Sequence, residues 1–211
     1  MPLANPTLPN LAVEQLAEIS RDAGLACDVF YGTLLLSRSV PAWLIQSYWG
    51  QAIFAPTYHG LDPDLIVREL LDAYNDFDRL CHLGGERDLD EMAIDLLLSM
   101  ERAEECLEAC LEAIAPERYD LACFSVAFDA QRLASACLAR LLKRREPGIQ
   151  VLFGGTACDG PMAAASLRVF PEVDAVLSGE AVETFTEAVL ALRGARHKEC
   201  IPGLYWRDGS R

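Results

Sequence analysis

At 211 residues the chain has room for one generous domain, and a hydrophobic share of 52% can fill a single core. Eighteen Lys and Arg stand against 32 Asp and Glu, and the net charge of −14 repels a nucleic-acid backbone or an anionic membrane surface. No apolar run approaches the roughly 20 residues that span a bilayer, and no basic leader precedes an apolar core, so a cytoplasmic chain without nucleic-acid or membrane partners is expected.

The start is punctuated by Pro2, Pro6 and Pro9. Apolar residues then recur at helical spacing from Leu11 through Val13, Leu16, Ala17 and Ile19 to Ala23, and Gly24 stops that helix. The β-prone run Ala26–Tyr31 reads as a strand. From Gly32 to His59 the pattern breaks into an apolar segment with Trp43, Tyr48, Trp49, Phe54 and Tyr58, too irregular for one helix and suited to covering something. Asp62-Pro63 opens a helix through Leu65, Ile66, Leu70 and Leu71 toward Phe77, and Gly84-Gly85 separates it from a second long helix, about Asp88 to Ile114. Leu96, Leu97, Met100, Leu107 and Leu111 form the buried stripe of that helix, with Glu101, Glu104, Glu105, Glu108 and Glu112 facing water. Residues 32–115 thus read as an aromatic and helical insertion within a single domain, 1–211.

The remainder alternates: strand Leu121–Val126, helix Asp129–Arg145, strand Gln150–Phe153, helix Pro161–Val169, strand Asp174–Leu177, helix Ala181–Arg193 and an edge strand Leu204–Trp206. Alternation of this kind predicts an α/β fold with a parallel sheet and helices on both faces. Ligands of such sheets bind beyond the carboxyl ends of the strands, so the informative loops follow Tyr31, Val126, Phe153 and Leu177. After Phe153 comes Gly154-Gly155-Thr156-Ala157-Cys158-Asp159-Gly160-Pro161-Met162, where a glycine pair either admits a ligand to the backbone or makes a tight turn. Ser178-Gly179-Glu180 leaves the next strand with a carboxylate suited to a ligand site or a helix cap, and Ser125 puts a hydroxyl on the same edge. The eight cysteines, spread through helix-like and strand-like segments, read as reduced thiols.

Four blocks carry a resemblance: Phe153-Gly154-Gly155 with Cys158-Asp159-Gly160-Pro161-Met162; Phe170-Pro171-Glu172-Val173-Asp174-Ala175-Val176-Leu177-Ser178-Gly179-Glu180; Ile201-Pro202-Gly203-Leu204-Tyr205; and Tyr48-Trp49-Gly50-Gln51-Ala52-Ile53-Phe54, with the opening Met1-Pro2-Leu3-Ala4. Together they resemble the cobalamin-binding N-terminal domain of cobalamin-dependent radical S-adenosylmethionine enzymes, closest to the C-methyltransferases that mature ribosomally made peptide natural products. The resemblance covers essentially the whole chain. It implies a flavodoxin-like (Rossmann-like) three-layer fold with cobalamin across the carboxyl edge of the sheet. By position, Ser125, Val126, Gly154, Gly155, Thr156, Ser178, Gly179 and Glu180 would bind the cofactor, its nucleotide tail running down between strands, and the Pro2–Asn10 loop would face the corrin. The implied partners are a radical catalytic domain or subunit and a precursor peptide, and the Trp43–Tyr58 stretch would cover the corrin or meet the catalytic partner.

The sequence departs from that family in lacking a first strand and a catalytic barrel, and it also lacks a histidine motif that many enzymes of the class lack. No Asp-x-His-x-x-Gly motif occurs, so no histidine ligand to cobalt is expected from it, and His59, His82 and His197 read as ordinary surface or core residues. No Cys-x-x-x-Cys-x-x-Cys cluster motif occurs either. Cys106 and Cys110 have the first spacing, but Ala113 stands where the third ligand would be, so the pair reads as packing residues on a helix and no iron–sulfur cluster is expected on this chain. The catalytic barrel that follows Pro-Gly-Leu in the family is missing, which leaves the chain non-catalytic alone. A hydrophobic first strand, central in the order 2-1-3-4-5, is also missing. Its absence should leave an apolar trough, filled by residues upstream of Met1, by a rearranged sheet, by Leu3–Leu8, or by a partner's strand, a homodimer included. Two alternatives accompany the cofactor reading: a cofactor-free domain that binds a peptide or partner enzyme by strand addition, and thiol chemistry at Cys158 in the glycine-rich loop.

Overall fold

The computed structural model of the chain describes residues 10–81 and 88–207. The Gly84-Gly85 break, His82 and the Pro2–Pro9 loop lie outside the described residues. Helix α1 spans Leu11–Asp22, and the Asn10 side chain caps it by accepting from the Val13 N–H at 3.3 Å. The expected strand Ala26–Tyr31 is not a strand. A β-prone run needs a hydrogen-bonded neighbour to become one, and among the described residues none lies beside it. The run is tethered by side chains instead: Tyr31 OH donates to Glu14 Oε1 and Tyr119 OH to Asp28 Oδ2, both at 2.5 Å.

The irregular aromatic segment resolves into short pieces, α2 (Gly32–Leu36), α3 (Ala42–Gln46), a 3-10 stretch over Tyr48–Phe54 and α4 (Ala55–His59). Phe54 belongs to the core, and Trp43, Trp49 and Tyr58 pack against it. Phe54 is fully buried, Trp43 and Trp49 meet edge-to-face at 6.3 Å, and Trp43 Nε1 donates to Asp95 Oδ2 at 2.7 Å. Two long helices follow, α5 (Pro63–Cys81) and α6 (Leu89–Ile114). Asp88 caps α6, its Oδ1 accepting from the N–H groups of Asp90 at 2.9 Å and Glu91 at 3.4 Å. The periodicity of α6 holds: Leu96, Met100, Leu107 and Leu111 are buried, the five glutamates are exposed, and Cys106 and Cys110 pack inward on the same stripe.

The sheet comprises β1 (Leu121–Ser125), β2 (Gln150–Gly154), β3 (Ala175–Leu177) and β4 (Leu204–Trp206), in that spatial order, the first three parallel and β4 antiparallel at the edge. Between them run α7 (Arg132–Arg145), α8 (Pro161–Val169) and α9 (Phe185–Leu192). Helix α9 starts four residues later than the sequence suggested, because Ala181–Thr184 form a turn. This is a mostly parallel α/β sheet with a core on each face. Phe124, Val151, Phe153 and Val176 pack toward the large cluster that includes α6 and α7, while Leu152, Ala175 and Leu177 pack toward Ala188, Ala191 and Leu192 of α9. Helix α1 lies against α9. Lys143 Nζ ties α7 to Asp174 Oδ2 at 2.6 Å, and that same oxygen accepts from the Val151 N–H at 2.7 Å, fixing how β2 and β3 enter the sheet.

Candidate functional site

Strand register sets the geometry of the carboxyl edge. Ser125 pairs with Gly154 and Gly154 with Leu177, so the three parallel strands end in one row and their exit loops stand side by side. Gly203, entering the antiparallel β4, joins them: the Ser178 N–H donates to Gly203 O at 2.9 Å. Two of these glycines are demanded by sterics. At Gly155, with φ +100°, a Cβ would stand 2.6 Å from Val126 O, and at Gly203 one would stand 2.2 Å from Ser178 O.

The loops interlock through hydrogen bonds. Ser178 OH donates to Asp159 Oδ1 at 2.5 Å, and the Gly160 N–H is shared between Asp159 Oδ1 at 2.8 Å and Ser178 Oγ at 2.9 Å. These donors, the Ser178 hydroxyl first, hold the Asp159 carboxyl below its ordinary range. Thr156 OH donates to Ala127 O at 2.6 Å, joining the β2 exit to the β1 exit. Gln131 Oε1 accepts from the N–H groups of Ala127 at 2.8 Å and Phe128 at 3.2 Å, and Arg132 reaches Ala157 O and, at 3.0 Å, Asp129.

The sequence-derived residues therefore divide. Ser125, Gly154, Gly155, Thr156, Ser178 and Gly179 share one edge, but Gly155, Thr156 and Ser178 are engaged in holding the loops together, and Val126 is fully buried. Gly154 is less constrained, since a Cβ there would meet Leu177 O at an ordinary 3.5 Å. Glu180 is exposed and caps no helix, because α9 begins five residues later. Gly160 and Gly179 border open space, with nothing within 4 Å of where a Cβ would stand. Sequence reasoning missed Asp159, Gln131 and Gly203 as anchors; the signal was an acid followed by glycine three residues after the Thr156 turn. Cys158 does not suit thiol chemistry: it is fully buried, and burial pushes its thiol up, away from the reactive thiolate. His59 and His197 are exposed.

Beside this edge lies a trough of about 520 Å³. One wall is β1, and the other is the run Asp28–Thr33 with Asn10 and Val13 of the α1 region. The floor is apolar, with Leu138, Leu142 and Ile149, and Ser125 stands at the carboxyl end. Its volume falls within the range of small-molecule sites, about 300–1,000 Å³. Among the described residues no cluster of three or more His, Cys, Asp or Glu could hold a metal ion, and no helix is long and apolar enough to cross a membrane. Comparison with known protein families, curated proteins and solved structures returns no match to this chain.

Proposed function

We propose that the chain is a cobalamin-binding module of flavodoxin-like plan that works with a radical S-adenosylmethionine catalytic domain or subunit in methylating or maturing a peptide. The observation that carries this reading is convergence. Three separate blocks, around Gly154–Gly160, Ser178–Glu180 and Gly203, meet at one carboxyl edge and bond to one another, and they belong to three of the four blocks on which the resemblance rests. The flavodoxin-like plan has further support: Asp28–Tyr31 lines the trough opposite β1, on the side where the second strand of the order 2-1-3-4-5 would lie, and α1 lies against α9.

The fit of such a group rests on Gly160 and Gly179, where nothing lies within 4 Å of where a Cβ would stand, so that a broad macrocycle could approach the backbone there. Ser125, Gly154, Gly179 and Glu180 would hold the cofactor, and Gly155, Thr156, Asp159 and Ser178 would keep the loops beneath it rigid. The cofactor, when bound, supplies methyl-group transfer. The chain's own residues would orient it and shield it from water. The free thiols at Cys27, Cys106, Cys110, Cys123, Cys137, Cys158 and Cys200 suit a reducing, cytoplasmic setting. A second reading, a cofactor-free peptide-binding domain, is favoured by the edge of β1, which pairs with no strand on its trough side among the described residues and along which an extended peptide could add.

Thermal unfolding with and without hydroxocobalamin separates the two. A ligand present at about 100 times its Kd stabilises the folded state by about 2.7 kcal/mol, so Tm should rise by several degrees in the wild type. The rise should shrink in Ser125→Tyr and Gly179→Asn variants that fold normally. An unchanged wild-type Tm at millimolar cofactor would favour the peptide-binding reading.

A further inference from the structure

We propose that the trough takes an extended, Val- and Ile-rich segment of a partner polypeptide, inserted as a strand beside β1. This rests on the peptide-binding reading of the β1 edge and names the peptide, and it holds with or without a corrinoid at the rim. The Val126 N–H donates to Gly154 O and Asp120 O accepts from the Gln150 N–H, so even-numbered residues of β1 turn their backbone groups toward β2. By alternation, Leu121, Cys123 and Ser125 turn theirs toward the trough, where no described strand meets them. On the opposite wall, the backbone groups of Asp28, Val29 and Phe30 have no partner among the described residues either. That wall is held by side chains, Tyr31 to Glu14 and Tyr119 to Asp28. An occupant that displaces solvent must bond to both rows. An acyl chain or a flat ring offers no matching series of donors and acceptors; a strand does.

The lining sets the side chains that such a strand must carry. Leu138 and Leu142 of α7 bound the trough from the core on one face of the sheet, and Val13 bounds it from α1, which lies against α9 on the other face. A strand seated between them is buried on both faces, and strands in that position are near-continuous runs of Val, Ile and Leu rather than alternating ones. The length of the run is set by β1, which spans five residues.

This chain does not offer that run. Its four described strands are already paired in the sheet, and a second copy brings the same strands, paired in its own. Outside the described residues, positions 1–9, 82–87 and 208–211 contain no Val and no Ile, and Pro2, Pro6 and Pro9 interrupt the first of these stretches. The chemistry of the trough therefore asks for a different polypeptide.

Binding of synthetic peptides to the full chain, read by fluorescence anisotropy, tests this. One peptide has a core of five Val and Ile residues, matching β1, between lysine flanks. Another alternates Val with Ser between the same flanks. Two more repeat the first with alternate backbone nitrogens methylated, each removing the N–H groups of one edge. The Val/Ile peptide should bind at least about tenfold tighter than the alternating peptide and than either methylated form. It should also slow maleimide labelling of the exposed Cys123, followed by mass spectrometry in a Cys200→Ser background, by about tenfold. Val13→Trp narrows the trough from the α1 side and should weaken binding by a similar factor in protein whose circular dichroism matches the wild type. Equal binding of the Val/Ile and alternating peptides would overturn the proposal and leave the broader peptide-binding reading standing, whereas no binding of any peptide at about 1 mM would remove both. Resistance of Cys123 to maleimide before any peptide is added would also overturn it, assigning the trough to a second copy where labelling rises on dilution and to the chain itself where it does not.

Discussion

Gly155 is the residue on which the carboxyl edge turns. With φ +100° and a virtual Cβ 2.6 Å from Val126 O, Gly155→Ala must push two strand exits apart, and a loss of about 2–4 kcal/mol in denaturant unfolding is expected. The same substitution at Gly148, where the nearest atom is the end of the Glu146 side chain at 3.3 Å and φ is not positive, should cost less than about 1 kcal/mol. Asp159 provides a second residue-level test. Its carboxyl is held below the ordinary range, chiefly by the Ser178 hydroxyl, so its contribution to stability is present above the unfolded-state pKa and fades as pH falls through the lower folded value. A carbon-detected titration should find Asp159 below the ordinary value of 3.8, returning toward it in Ser178→Ala; an unchanged midpoint would remove the hydroxyl from the account. The glycine pair was legible in the sequence as a special exit, but its purpose was not. Whether a glycine admits a ligand or a neighbouring backbone depends on what lies across the sheet, and Val126 is 29 residues away from Gly155 in the chain.

Regular elements were legible wherever a local rule sets them. The stripe and glutamate face of α6, the Pro161 start of α8 and the three parallel strands followed from periodicity and turn residues. Asp88→Ala removes the acceptor for two N–H groups at the start of α6 and should cost about 1 kcal/mol in the same unfolding assay. Ala26–Tyr31 escaped the local rule because strand formation is a property of pairs, and no described strand pairs with it. The aromatic run from Trp43 to Tyr58 was legible as greasy but not as internal. It closes against α6 and α7, and Arg140 of α7 holds its Tyr58 end: its guanidinium lies 3.8 Å from the Tyr58 ring centre and donates to Tyr58 O at 2.9 Å. Arg140→Met keeps the aliphatic bulk but loses both contacts, and a destabilisation of about 1.5–3 kcal/mol is expected. A value near zero would show that α4 is held by Phe54 and Phe170 packing alone.

For the whole molecule, the two faces of the sheet have different duties. The large core around α6 and α7 makes the domain rigid, while the carboxyl edge collects three distant sequence blocks into one bonded rim beside a trough. A rim of that kind requires glycine at several left-handed positions, which fits a site more readily than a plain scaffold. The central claim is that this rim holds a corrinoid. It is tested most directly by the absorbance spectrum of the purified chain after incubation with hydroxocobalamin and passage through a desalting column. Corrinoid bands retained at close to one equivalent per chain are predicted; a folded protein that emerges colourless would contradict the claim.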